Sequence, residues 1–370
     1  MLIMALDHVR DYFHYSAYFF NPVDPAQTTV PIFFTRFITN FCAPAFSFLA
    51  GLSAFMSGRK KSKTAVSGFL VKRGLWLVVM ELSFVIFGWC FDPQFRSNEI
   101  AVIASLGLSM ILLAGLIHLP RTLLMIICCV IIAGHNLLDP VGPPESFLWS
   151  VIHRQSVFQF GSVKFYVDYP IIPWAAVMAL GYCFGPFYDK EADSKKRKRI
   201  LSFTGIAAIL LFFLLRWSNV YGDLHPWTRQ ATGIRTFLSF LNVTKYPPSL
   251  LYLLITLGPA FIFLANTEGV KGRFINFLST FGRVPFFYYL LHLYVVHALA
   301  VVHGLITGFG WNLLVLPDWI LEMPEMKGYG TNLIGVYLVW LLVIAIMYPL
   351  CKWYDRYKTN HKEKWWLSYL

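Results

Sequence analysis

Ten apolar stretches of bilayer-crossing length recur along the sequence, at roughly residues 1–20, 35–57, 69–91, 99–119, 122–138, 170–188, 200–217, 247–266, 284–305 and 331–351. A helix needs about 17–25 mostly apolar residues to span the hydrocarbon core. Backbone in lipid must satisfy its own hydrogen bonds, so each stretch reads as a helix. The expected fold is all-α: a polytopic integral membrane protein with about ten transmembrane helices. Residues 1–370 form a single domain, with a basic C-terminal tail at 352–370. Only 14% of the 370 residues are charged, against about 25% in soluble proteins. That scarcity excludes a soluble enzyme, a disordered chain and a small disulfide-stapled secreted domain.

The net charge of +12 would suggest an acidic partner in a soluble protein. Here its distribution gives another reading. About two thirds of the 31 Lys and Arg fall on the side that ten spans assign to both termini. They include Arg59 to Lys63, Arg121 and the run from Lys190 to Arg199. Such asymmetry puts both termini in the cytoplasm, and no nucleic-acid partner is expected. The tail adds Trp353, Trp365, Trp366 and Tyr369 to its basic residues, a mixture suited to the headgroup region.

The chain opens on Met1 and LIMAL. With no basic run or cleavage site there, no secretory signal is expected, and the first span is expected to be short at its cytoplasmic end. The six cysteines lie in or beside apolar spans and read as small buried hydrophobes. Outer segments 21–34, 139–169 and 218–246 are too long and too rich in Pro, Gly, Trp and His for idle connections.

Ionisable groups inside a span are costly and point to function. The densest set is Asp7, His8, Arg10, Asp11 and His14. On a helix, Asp7, Arg10, Asp11 and His14 share a stripe about 100° wide, with His8 on its flank. An Asp beside a His orients the imidazole and raises its basicity, as a general base requires. His8 and His14, with Asp7 and Asp11, are therefore the catalytic candidates. Arg10 is a candidate for charge balance or acceptor binding. A bland alternative is a neutralised Asp7–Arg10–Asp11 network that only joins helices.

A second set pairs Arg36 with Asn40, one turn apart. Arg36 is suited to balance the first cluster or hold an anionic group. A third, at residues 281–303, places Tyr288 and His292 as a pocket wall, with His297 on another face. The five-residue step from His292 to His297 does not suit a two-His metal face, so no metal site is expected. Glu81 reads as a partner for a basic residue or a protonated core acid. No nucleophile elbow, phosphate loop or dinucleotide fingerprint is present.

Six strings in order, DHVRDYF (7–13), NFCAPAFSFLAG (40–51), KRGLWLVVMELSF (72–84), YPIIPWAAVMALGYCFGP (169–186), SFLNVTKYPPSLLYLLITLGPA (239–260) and GRVPFFYYLLHLYVVH (282–297), span nearly the whole chain. Together they resemble a bacterial membrane-protein family related to heparan-alpha-glucosaminide N-acetyltransferase. The resemblance implies a multi-pass protein of the bacterial cytoplasmic (inner) membrane. It would move an acetyl group from cytoplasmic acetyl-CoA to a glycan or amino-sugar acceptor on the outer side. Acetyl-CoA would be a cosubstrate, with no permanently bound cofactor. The family's first-helix Asn aligns with His8. Its catalytic His has no counterpart in residues 15–34, and His14 is the nearest. Asn40 stands where many relatives carry His.

On this reading His8 or His14 deprotonates the acceptor or carries the acetyl group transiently. Arg10, Arg36, Asn40, Tyr288 and His292 would meet the acceptor in the membrane. Asn242 and Lys245, with His225, Trp227 and Arg229, would recognise the sugar outside. Lys72, Arg73, Lys271, Arg273 and Arg283 would hold the CoA phosphates, although orientation alone also accounts for them. A homodimer is left open. The alternative from another class is a proton-coupled transporter or flippase of a sugar or lipid precursor, using the same buried charges as a relay.

Overall fold

The computed structural model describes residues 1–143, 145–189 and 191–368; Lys190 of the basic run and Tyr369 of the aromatic tail lie outside them. The chain is mostly helical. Its helices are α1 (Leu2–Phe13), α2 (Val30–Thr39), α3 (Cys42–Gly58), α4 (Lys63–Met80), α5 (Ile86–Cys90), α6 (Val102–Leu116), α7 (Arg121–Gly134) and α8 (Phe147–Ile152). There follow α9 (Ile171–Phe184), α10 (Ser194–Ser218), α11 (Gly233–Leu241), α12 (Leu250–Thr267), α13 (Arg273–Arg283), α14 (Pro285–Thr307) and α15 (Leu333–Asn360).

Among the described residues, seven helical segments are long and apolar enough to cross a membrane, including Val30–Gly58, Pro285–Thr307 and Leu333–Asn360. This is a multi-pass integral membrane protein. The other three expected spans are more complex. α6 is apolar but shorter, α1 has only 12 residues, and α4 reaches α5 through a π-turn at Glu81–Val85.

The helix ends sort onto two faces. On one, Arg59 pairs with Asp189, Arg197 with Glu268, and Arg283 with Asp355. On this basic face the pairs thus join the α3–α4 connection to the α9–α10 one, α10 to the α12–α13 connection, and the end of α13 to α15. On the other, the long segments lock together. Asn242 Nδ2 donates to the Val23 carbonyl, and Lys164 Nζ to Asp318.

The expected single span at 35–57 is broken. α2 ends at Thr39 and α3 restarts at Cys42. Pro44 suits the first turn of the new helix, where a missing N–H costs no intrahelical bond. Of the two readings of Glu81, the basic partner is not found among the described residues, and the buried acid is given a further task, the capping of a helix. Its Oε2 accepts from the Ile103 and Ala104 N–H groups at 2.8 and 2.9 Å. Acceptors there satisfy the orphan amides of α6 and complement its dipole.

The strictly all-α expectation is corrected by a small sheet. β1 (Ser97–Ile100) runs parallel to β3 (Val163–Val167), which pairs antiparallel with β2 (Ser156–Phe160). β2 and β3 read V-F-Q-F-G-S-V-K-F-Y-V, an alternation broken by a two-residue turn with Gly161 at φ +60°. That pattern specifies a hairpin. Four cysteines are buried as expected, but Cys129 is exposed and Cys42 only half-buried.

Segment 219–242 is organised from inside. Arg216, buried at the end of α10, donates to the carbonyls of His225, Ser239, Phe240 and Asn242. It thereby closes the C-terminus of α11. Arg216→Gln strands most of these acceptors, each worth about 1–3 kcal/mol when buried and unmet. The variant is expected to melt several degrees lower, with protease cleavage appearing first within 219–242. An unchanged melting profile would contradict this assignment.

Candidate active site

A cavity of about 620 Å3 opens among the long segments and descends to α1, α3 and α14. That volume lies within the about 300–1,000 Å3 typical of small-molecule sites. Its wall brings together residues from distant parts of the chain, including Asp7, His8, Arg36, Glu99, Lys245 and Trp319.

α1 supplies one side. Asp7, Arg10 and Asp11 share a helical face, as their spacing predicts. One Arg10 nitrogen, Nη2, donates to both Asp7 Oδ1 and Asp11 Oδ1. Arg36 Nη1 donates to Asp7 Oδ2 at 2.8 Å and to Thr39 Oγ1 at 2.9 Å. Two carboxylates and two guanidinium groups form a neutral set, so this network is affordable at depth.

His8 is held by a chain of hydrogen bonds that begins at the backbone. His292 Nδ1 lies 2.9 Å from the Tyr288 carbonyl, which can only accept, so Nδ1 carries the proton. His292 Nε2 is then the acceptor in the neutral ring. It lies 2.8 Å from His8 Nδ1, which must donate to it. The His8 proton is thus on Nδ1, and its Nε2 keeps a lone pair. Nε2 makes no hydrogen bond among the described residues, and the ring lines the cavity. Trp89 meets that ring edge-on, with centroids 4.7 Å apart. The expected orienting groups, Asp7 and Asp11, are taken by arginines, and His292 does the orienting instead.

His14 goes elsewhere. It lies beyond the end of α1, in extended conformation, because the backbone turns to bridge Thr331. Gly330 makes that approach possible: φ is +103°, and a Cβ there would lie 2.6 Å from the Phe13 carbonyl. The His14 Nδ1 accepts from the Ser16 N–H and is also 2.7 Å from Ser16 Oγ. The side chain is buried and is not on the cavity wall.

The remaining candidates divide. Arg10, Arg36 and Lys245 line the cavity, Lys245 lying over the rings of Tyr246 and Tyr169. Asn40 is buried, its carbonyl accepting from Tyr252. Tyr288 stacks on the far side of His292, and Asn242 ties α11 to Val23. His225, Trp227 and Arg229 are not on the wall. Lys72, Arg73, Lys271, Arg273 and Arg283 are likewise absent from it. Arg283 pairs with Asp355. His297 is a structural histidine, bonded to the Gly88 and Leu314 carbonyls and stacked on Phe91.

The sheet forms a wall that the sequence reading did not anticipate. Glu99, Tyr166 and Val157 sit opposite one another across its three strands and all line the cavity. The other face, with Ile100, Phe165 and Val167, packs into a separate core. Glu99 had been assigned to the start of an apolar span. The hairpin alternation at 156–167 was the available signal, but it does not reveal that β1 pairs beside it.

Residues 1–221 match the family model for heparan-alpha-glucosaminide N-acetyltransferase, catalytic. Comparison with curated proteins and with solved structures gives no match. The matched part includes α1 through α9 and most of the cavity wall. Lys245, Tyr246, Tyr289 and His292 lie beyond it.

Proposed function

The chain belongs to the heparan-alpha-glucosaminide N-acetyltransferase catalytic family, and from that premise we propose that it transfers an acetyl group from acetyl-CoA to a sugar bound in the cavity. One observation carries this reading. The Tyr288–His292–His8 chain of hydrogen bonds leaves an unprotonated nitrogen on a His8 ring that lines a cavity of small-molecule size. That is the state a general base requires.

His8 Nε2 takes a proton from the attacking amine or hydroxyl of the acceptor. The new bond forms at the acetyl carbonyl carbon, the carbon–sulfur bond breaks, and the thiolate of CoA leaves with the electron pair. His8 then returns the proton to that thiolate. Positive charge on His8 is shared with His292, whose Nδ1–H stays bonded to a carbonyl. The aromatic rings around His8, Trp89, Tyr289 and Trp319, offer flat apolar faces to a pyranose ring.

The basic face is the cytoplasmic one on the positive-inside rule. The cavity then opens to the outer side of a bacterial cytoplasmic membrane, and ten passes place both termini inside. Acetyl-CoA would arrive at the basic face, where Lys72, Arg73, Lys271, Arg273 and Arg283 are suited to its phosphates.

The test is direct. Purified full-length protein with radiolabelled acetyl-CoA is expected to label an amino-sugar or sugar acceptor. Absence of label from every amine and hydroxyl acceptor, with folded protein, would refute the transferase reading.

A further inference from the structure

The carboxyl groups of the cavity are not alike. Asp7 and Asp11 are ion-paired to arginines. Glu99 is only 7% exposed, and its carboxyl group has no hydrogen-bond or ion-pair partner among the described residues. Asp168 stands beside it, where β3 leaves the sheet and the Asp168 N–H bonds to the Ile100 carbonyl. Its Oδ1 accepts from Gln155 Nε2 at 2.9 Å. The cation on this side of the wall, Lys245, is within ion-pair distance of neither. A buried carboxyl group without a partner is costly unless a ligand supplies one.

We propose that Glu99, with Asp168 beside it, receives the positively charged amino group of the acceptor, and so selects an amine over a hydroxyl. The assignment rests on the transferase reading for its chemistry, but not for its binding. Both residues sit at the ends of the small sheet, outside the apolar helices. Burial, then Asp168 and Glu81 close by, push the Glu99 carboxyl well above the usual range. Burial also raises Asp168, with the Gln155 hydrogen bond and, more weakly, the charge of Lys245 opposing it. Without a cation the pair is inclined to hold a proton, and an ammonium group takes that proton's place.

The pair also resolves a proton problem peculiar to amines. An acceptor arriving as an ammonium ion must lose two protons, whereas a hydroxyl loses one. The Glu99–Asp168 pair accepts the first, which leaves a neutral amine with a free lone pair. That nitrogen bonds to the acetyl carbon, and its second proton goes to His8 Nε2. The carbon–sulfur bond breaks, and His8 protonates the departing CoA thiolate. The first proton leaves through the open mouth of the cavity, so atoms and charge balance with one proton released per amide formed.

The test uses binding, which does not depend on turnover. Calorimetry on the full-length protein without acetyl-CoA compares glucosamine with glucose. Glucosamine is expected to bind about tenfold more tightly, the size of one charge-assisted hydrogen bond. Glu99→Gln is expected to remove that advantage while leaving glucose affinity unchanged, and Glu99→Asp to restore part of it. Should Glu99→Gln not fold, Asp168→Asn is expected to shift affinity in the same direction. Equal affinity of the wild type for the two sugars would overturn the proposal, as would a folded Glu99→Gln protein that keeps its preference. Preference for glucosamine without any acetyl transfer would instead overturn the transferase reading and leave the subsite standing.

Discussion

Replacing His8 with Ala is expected to slow acetyl transfer by about 10²–10⁴-fold, the range supplied by a positioned general base, without unfolding the protein. His8 is partly exposed and lines the cavity, and among the described residues removing its ring breaks a single side-chain hydrogen bond, that to His292. Two further variants separate this role from a structural one. His292→Gln can offer a side-chain oxygen to the His8 Nδ1–H and is expected to keep much of the activity. His292→Phe cannot, and is expected to lose most of it by freeing the tautomer and the ring. His14→Ala should act on stability, because that ring serves Ser16 away from the cavity. Initial rates with radiolabelled acetyl-CoA, read beside thermal melts, distinguish these outcomes. Full activity in His8→Ala would remove this base from the mechanism.

The largest effect on folding is expected from Gly181→Val. α3 and α9 pack backbone against backbone at two reciprocal glycines. A Cβ on Gly51 would lie 1.7 Å from the Met178 carbonyl, and one on Gly181 would lie 2.0 Å from the Phe48 carbonyl. Ser47 Oγ donates to the Trp174 carbonyl at the same interface. Small residues permit such contact in a bilayer, where association depends on close packing more than on hydrophobic exclusion. Valine must push the helices apart, against backbone that cannot rotate away. A cost at or above the about 1–3 kcal/mol of ordinary overpacking follows. α3 also carries Cys42, Ala43 and Phe46 to the cavity, so its displacement disturbs the site. Size-exclusion profiles and melting in detergent are expected to show aggregated or strongly destabilised protein. A melting temperature equal to wild type would contradict the packing described.

Much of the site's composition could be read from local sequence. Three charged groups within one turn of α1 had to face away from lipid, and Arg36 was a reasonable balance for them. The arrangement of the histidines was less legible. The helical stripe included His14 and put His8 on its flank, because periodicity assumes that the helix continues. The bridge to Thr331 ends it at Phe13. The same limit applies to Glu99, whose neighbours along the chain are those of an apolar helix but whose strand is defined by partners at Lys164–Val167.

By itself, the sequence determined the membrane class, the helical character and the two-faced distribution of charge. Those properties follow from the cost of placing apolar, charged or unbonded groups in a given solvent, and that cost is additive over neighbouring residues. Only the tertiary structure decided that His8 meets His292, 284 positions away, and that a small sheet brings Glu99 into the cavity. Partners so distant are chosen by how helices and strands pack, and no local pattern records that choice.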